Sequence, residues 1–152
     1  MLIVRFDSNL TNVLELKSFV KLNDKLFVDP FSNHVNLDEY MDKLISLAEI
    51  VVSIDEEGRI QGVACAYMND FVTYTAHLQM IVVALESQGK GIGKSLCKEL
   101  LKVAASKGMK KCMLTVDKVN LSAQRMYKAV GYVDSAERHA NETKKYMEYH
   151  IV

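Results

Sequence analysis

Between Thr75 and Ala104 the sequence changes its period once, and three glycines mark the change. Upstream, TAHLQMIVVAL is a largely apolar run of strand length. Downstream, Ile92, Leu96, Leu100, Val103 and Ala104 recur at helical spacing. Between them lies QGKGIGKS, Gln88 to Ser95. A buried strand that passes through a glycine turn into an amphipathic helix is a strong restriction on the fold. It also places the free N–H groups of a helix start beside the loop, which is a ready anion site. Glycine at 89, 91 and 93 permits close backbone approach and left-handed torsions. The bland alternative is a glycine-rich turn with no ligand. Three alternating glycines at a helix start are costly unless something uses them.

The flanking sequence extends the pattern on both sides. Leu2–Phe6 reads as a first strand, and Leu10–Leu22 as a helix with Leu10, Val13, Leu14, Leu16 and Val20 apolar. Residues 26–36 hold Asp29-Pro30 and Ser32-Asn33 and are expected to be irregular. Leu37–Leu47 is a second helix, with Asn36 as its cap. Glu49–Ile54 and Arg59–Met68 flank the hairpin turn Asp55-Glu56-Glu57-Gly58, and Thr75–Leu85 completes a meander. After the central helix, stopped at Lys107-Gly108, come a strand at Lys111–Asp117 and a short helix closed by Gly131. Tyr132–Glu137 and Lys144–Val152 form the last strand pair. The order β-α-α-β-β-β-α-β-α-β-β gives an α+β fold with a mixed sheet and one parallel crossover.

A chain of 152 residues is expected to form one domain. Nineteen basic and nineteen acidic residues leave no net charge to attract nucleic acid or an anionic membrane. The longest apolar run, Met80–Leu85, is far below the ~20 residues that span a bilayer. Arg5 interrupts the only candidate leader. Cys65, Cys97 and Cys112 form no C-x-x-C pair and read as core residues of a reducing compartment, which points to the cytoplasm.

Counting decides between the phosphates that such a loop can bind. The ATP/GTP form G-x-x-x-x-G-K-[ST] ends correctly at Gly93-Lys94-Ser95, but its first glycine falls on Gln88. Asp117 is the magnesium ligand this rival would need. The dinucleotide form G-x-G-x-x-G fits Gly89 and Gly91 and then fails at Lys94. A third form, Q/R-x-x-G-x-G/A, fits Gln88, Gly91 and Gly93.

That third form resembles the central motif of the GNAT superfamily of acetyl-CoA-dependent N-acetyltransferases. Downstream, NLSAQRMYKAVGY, Asn120 to Tyr132, resembles the family's N-x-x-A-x-x-x-Y-x-x-x-G-[FY] segment at every fixed position. The resemblance runs from about Glu49 onward, while the N-terminal third matches only in element order. It implies a mixed, mostly antiparallel sheet of about six or seven strands flanked by about four helices. It also implies acetyl-CoA as cosubstrate without a metal, an amine acceptor and a cytoplasmic enzyme. Neither nucleic acid nor a membrane is expected as partner, and dimerisation through the final strands is common in such folds.

The resemblance further assigns residues. Ile81, Val82 and Val83 offer backbone groups to the pantetheine arm, with the Val83 N–H as oxyanion donor. Gln88, Gly89, Lys90, Gly91, Ile92, Gly93 and Lys94 form the pyrophosphate loop. Asn120 is either a pantetheine contact or a helix cap, and the sequence leaves both open. Tyr127 is the general acid for the departing thiolate, against the alternative of a core tyrosine.

Two positions depart from the family pattern. The acceptor ammonium must lose a proton, and the usual carboxylate positions hold Gln79 and Thr115. Glu86 precedes the glycines where relatives carry a non-catalytic acid. His77, two positions from Gln79 on one strand face, is either the candidate base or simply a polar residue at a strand start, with an ordered water chain held by Tyr67 and Tyr74 as the alternative base. The missing carboxylates also motivate a rival function, an acyl-CoA-binding module without catalysis. The segment from Phe19 to Tyr40, with Lys21, Asp24, Lys25, Asp29, His34 and Asp38, is expected to shape the acceptor pocket and shows no charge preference.

Overall fold

The computed structural model describes residues 1–7, 13–136 and 141–152. Seven strands and four α-helices follow in the expected order: β1 (Leu2–Arg5), α1 (Val13–Asn23), α2 (Leu37–Leu47), β2 (Glu49–Ile54), β3 (Ile60–Asp70), β4 (Thr75–Val83), α3 (Ile92–Ser106), β5 (Lys111–Asp117), α4 (Leu121–Val130), β6 (Val133–Asp134) and β7 (Lys144–His150). Leu10 and Glu137, assigned above to a helix and a strand, lie outside the described residues. Short 3₁₀ turns at Asp24–Leu26 and Phe31–Asn33 occupy the segment expected to be irregular. The sheet order is β1-β2-β3-β4-β5-β7-β6. Among the described residues only β4 and β5 pair in parallel.

Local chemistry accounts for most boundaries. Asn36 Oδ1 accepts the Glu39 N–H at 3.1 Å, and Asp38 and Glu39 sit in the positive first turn of α2. Met41 and Leu44 then fall on its inward stripe and are fully buried. At the β2–β3 hairpin, Asp55 Oδ1 accepts the N–H groups of Glu57 and Arg59. In place of a side-chain cap, α3 begins at Gly91.

Two cores lie on the two faces of the sheet. One packs α3 and α4 through Leu96, Leu100, Val103, Ala104 and Tyr127 against Ala64, Ala66, Ala76 and Leu114. The other packs α1 and α2 through Leu16, Val20, Met41 and Leu44 against Ile50, Val63, Cys65 and Met80. Cys65, Cys97 and Cys112 are buried free thiols, and burial pushes Cys65 and Cys97 up to about 12. They serve as small apolar packing units, as their spacing suggested. Gly62 sets how closely α3 approaches the sheet, because a Cβ there would stand 2.9 Å from Leu96 Cδ1 and 3.3 Å from the Val82 carbonyl oxygen.

One irregularity matters for function. Cys65 pairs with Met80 but Ala66 pairs with Leu78, so Gln79 is the extra residue of a β-bulge. The bulge reverses the side-chain alternation. Ala76 and Leu78 face the α3 core, Met80 faces the α1–α2 core, and Ile81 and Val83 return to the α3 side.

Among the described residues no helix is long and apolar enough to cross a membrane.

Candidate active site

The parallel ladder between β4 and β5 is short. It joins Thr75 to Lys111, Ala76 to Cys112 and His77 to Met113, and then ends. The bulge at Gln79 follows at once, bending β4 away from its neighbour. From Leu78 to Val83 the β5-facing edge of β4 has no strand partner. A cleft of about 1310 Å³ fills the opening and reaches both faces of the sheet. Ile81, Val82, Val83, Gln88, Gly89, Gly91, Ile92, Gly93, Lys94, Asn120, Tyr127 and His77 all line it. The exception among the named site residues is Lys90, which is exposed and outside the lining because it projects to solvent between two glycine bends.

The glycine loop closes one end of this cleft. Gly89 and Gly91 take left-handed torsions, φ +80° and +77°, which side chains rarely adopt. Gly91 caps α3 without a side-chain hydrogen bond, and the first turn-closing bond runs from Ser95 N–H to the Gly91 carbonyl at 3.1 Å. The N–H groups of Ile92, Gly93 and Lys94 precede that bond and have no helical partner, so the helix start opens on the cleft as a positive end. Gly93 has no left-handed torsion, and a Cβ there would meet Val83 Cγ2 at an ordinary 3.7 Å. Gln88 donates from Nε2 to the Val83 carbonyl at 3.1 Å, tying the loop to the end of β4.

On the opposite wall, α4 presents Ala123, Met126 and Tyr127. Tyr127 is 6% exposed, and its ring packs against Tyr132 with centroids 5.6 Å apart. Burial raises its phenol well above the ordinary tyrosine value, with smaller contributions from the Cys97 and Cys112 thiols. Among the described residues no hydrogen bond reaches its hydroxyl. Asn120 Oδ1 accepts the Ala123 N–H at 3.1 Å, so this asparagine caps α4. Its amide nitrogen stays available in the cleft, and the two readings of Asn120 are compatible. Asn120→Ala is expected to cost about 1 kcal/mol of stability, read from the denaturation midpoint, while Asn120→Asp keeps the cap.

The other half of the cleft lies on the α1–α2 face. His77 and Gln79 share it, as alternation predicts, because the bulge reverses the pattern only after Gln79 and brings Met80 to the same face. Gln79 is held at both ends: Tyr40 donates to Oε1 at 3.1 Å, and Nε2 donates to the His77 carbonyl at 3.2 Å. Phe31 stacks on Tyr40 and meets Phe27 edge-on, giving this half an aromatic wall. Tyr67 has a buried hydroxyl with no partner among the described residues and does not line the cleft. Tyr74 turns outward, against Phe71 and Lys110, which removes it from any relay here. Thr115 lines the cleft, whereas Glu86 is exposed outside it.

Three lining residues form a contact across 115 positions of sequence. Asp29 accepts from His34 Nε2 at 2.8 Å and from Lys144 Nζ at 3.3 Å. The His34 ring and the Lys144 ammonium hold the Asp29 carboxyl below its usual range. This bridge joins the 27–34 segment to the start of β7 at the cleft mouth. Lys144 and Tyr146 carry no local signal in the sequence, because pairing with β5 alone brings them here.

A mixed sheet split between two parallel strands, with an uncapped helix start at one end of the split and a buried phenol on its wall, matches the arrangement implied by the resemblance to acetyl-transferring enzymes. The chain belongs to the acetyltransferase (GNAT) family, whose model matches residues 16–132. No curated protein matches the sequence. Among solved structures, an aminoglycoside 6'-acetyltransferase type Ii is 21% identical with a TM-score of 0.81, covering 100% of this chain and 98% of that one. An aminoglycoside 6'-N-acetyltransferase complexed with coenzyme A is 18% identical with a TM-score of 0.79, again covering 100% and 98%. A phosphinothricin acetyltransferase from Sinorhizobium meliloti in complex with AcCoA is 18% identical with a TM-score of 0.75, covering 99% and 89%. At these identities the likeness concerns the fold.

Proposed function

We propose that this acetyltransferase moves an acetyl group from acetyl-CoA to the primary amine of a small molecule by direct attack on the thioester. The observation that carries the proposal is the three-pair limit of the β4–β5 ladder. It leaves an unpaired strand edge leading straight to an uncapped helix start, a shape matched to a pantetheine arm ending in a pyrophosphate. Two similar structures hold coenzyme A or AcCoA, in agreement with that match. Gln88 to Lys94 take the pyrophosphate, with Lys90 contributing charge from outside the cleft. Ile81 to Val83 and Asn120 hold the pantetheine.

In the reaction the amine nitrogen forms a bond to the thioester carbon. The Val83 N–H stabilises the oxyanion, a contribution of about 3 kcal/mol for one preorganised donor. The carbon–sulfur bond then breaks and Tyr127 donates a hydrogen bond to the departing thiolate. The proton lost by the acceptor goes to His77, since neither Gln79 nor Thr115 can take it. The aromatic wall of Phe27 and Phe31 and the Asp29–Lys144 bridge form the acceptor end, and a compact amine suits it better than a protein terminus.

Coenzyme A is expected to raise the melting temperature, Mg-ATP to leave it unchanged, and a panel of small amines to release free thiol from acetyl-CoA. A shift with Mg-ATP alone would sink the proposal. Coenzyme A binding with no turnover across the panel would favour the rival, a binding module. His77→Ala is expected to lower kcat/KM for the acceptor by about a hundredfold, the usual contribution of a general base, with KM for acetyl-CoA unchanged.

A further inference from the structure

His77 does not face the cleft alone. Its Nε2 stands 4.0 Å from Asp70 Oδ2, at the turn that ends β3. That carboxylate is tightly held. Asp70 Oδ1 accepts the N–H groups of Val72 and Thr73, and Oδ2 accepts the Thr73 hydroxyl. The Thr73 hydrogen bonds are the main reason its carboxyl lies below the usual range, so it is ionised at neutral pH. The turn is further fixed by Tyr74, which holds a left-handed torsion of φ 54°. His77 pairs across the strands with Tyr67, and the next residue pair toward the turn joins Asp70 to Thr75.

We propose that Asp70 is a positioning residue for His77, acting through the imidazole rather than on the substrate. The proposal rests on the reading of His77 as the acceptor's base. A carboxylate facing Nε2 favours the tautomer with hydrogen on that nitrogen, which leaves Nδ1 as the acceptor of a proton from the ammonium. One proton leaves the substrate nitrogen and arrives on Nδ1. The imidazolium then has its Nε2–H directed at Asp70, and it returns the proton to water after the acetylated product leaves. The 4.0 Å separation is longer than a hydrogen bond and is of the kind that tightens when substrate binds. This arrangement gives a chain without the usual carboxylate at position 79 or 115 a carboxylate one step removed.

Other charged groups near His77 are few. From β3 comes Tyr67, whose ring lies under the Lys43 ammonium of α2. From β5 comes Lys111, the cross-strand partner of Thr75, whose charge is taken up by Glu148 of β7 at 3.6 Å. None of these puts a second unpaired carboxylate on the ring.

The test is a double-mutant cycle on kcat/KM for the acceptor in the full chain, with Asp70→Asn, Asp70→Glu, His77→Ala and the Asp70→Asn, His77→Ala pair beside the wild type. Asparagine keeps the Oδ1 acceptor of the turn, so Asp70→Asn retains the melting temperature and the KM for acetyl-CoA. In the wild-type background Asp70→Asn lowers kcat/KM for the acceptor about tenfold as the favoured tautomer is lost, and in the His77→Ala background it changes nothing further. Glutamate restores activity. If Asp70→Asn costs nothing in the wild-type background, or costs as much without His77 as with it, Asp70 has no role through the imidazole and His77 still stands as the base. If His77→Ala keeps full activity, both fall. Should Asp70→Asn fail to fold, Asp70→Ser, which keeps an oxygen acceptor for the turn and removes the charge, carries the same comparison: wild-type activity there overturns the proposal.

Discussion

Tyr127→Phe is expected to lower kcat by about a hundredfold or more, the usual contribution of a positioned acid, while KM for acetyl-CoA changes by less than about threefold. The change is clean because the hydroxyl has no hydrogen-bond partner among the described residues, and phenylalanine keeps the ring against Tyr132. Removing the oxygen leaves no orphaned polar group, so the melting temperature is expected to hold or rise slightly. The pH dependence gives a second check. Burial raises the phenol's pKa, so the protonated form required of a donor persists through neutral pH and beyond the ordinary tyrosine value of ~10. No alkaline limb below that value belongs to Tyr127. A limb near pH 8 that vanishes in the phenylalanine variant would contradict a buried neutral donor, and wild-type kcat in that variant would remove Tyr127 from the chemistry. A raised pKa also makes complete transfer to a thiolate, whose thiol titrates near ~8.5, uphill. The phenol's contribution is therefore a hydrogen bond that strengthens as the sulfur gains charge, with solvent completing the protonation.

How far the sequence carries is clearest where physics is local. The helical stripe Ile92, Leu96, Leu100 and Val103 has α3 as its only reasonable outcome, and the run Glu49–Ile54 became β2 residue for residue. Asn36 and Asn120 act as caps because their side chains reach only a few residues along the chain. The limits appear where a partner decides. Arg59–Met68 was expected as a strand, and β3 runs on to Asp70 because Asp70 still pairs with Thr75. The bulge at Gln79 is invisible to alternation, which would send residues 76, 78 and 80 to one face, whereas the fold divides them between two cores.

The site divides the same way. Its cosubstrate half is written in two contiguous segments, Gln88–Lys94 and Asn120–Tyr127, so local spacing was enough to gather those residues. The acceptor half is built from chain distant in sequence. Lys144 reaches Asp29 because β7 pairs with β5 and the 27–34 segment crosses the cleft mouth, and neither fact leaves a periodic trace. Asp70 is likewise a turn former by sequence, and only the register of β3 on β4 sets it beside His77.

Gly91→Val is expected to raise KM for acetyl-CoA by about tenfold or more, since a β-branched residue at a left-handed torsion is strained by roughly 1–2 kcal/mol and the backbone must move to relieve it. A Cβ at Gly91 meets nothing within 4 Å, so the defect is not a clash. It is the redirection of the N–H groups of Ile92, Gly93 and Lys94, which the +77° torsion of Gly91 aims at the cleft. Gly93→Ala separates this effect from simple crowding. Its torsion is ordinary, and the added methyl meets Val83 Cγ2 at 3.7 Å, a normal contact. Alanine within the first turn of α3 therefore stabilises the unliganded protein by up to about 1 kcal/mol. Alanine is also the alternative that the Q/R-x-x-G-x-G/A form allows at this position, so KM for acetyl-CoA is expected to stay near the wild-type value even as the melting temperature rises. Gain of stability without loss of affinity at position 93, with both falling at position 91, is the signature of a loop in which the left-handed glycine aims the N–H groups at a ligand. An equal rise of KM at both positions would show instead that crowding of the helix start, and not the torsion of Gly91, governs binding.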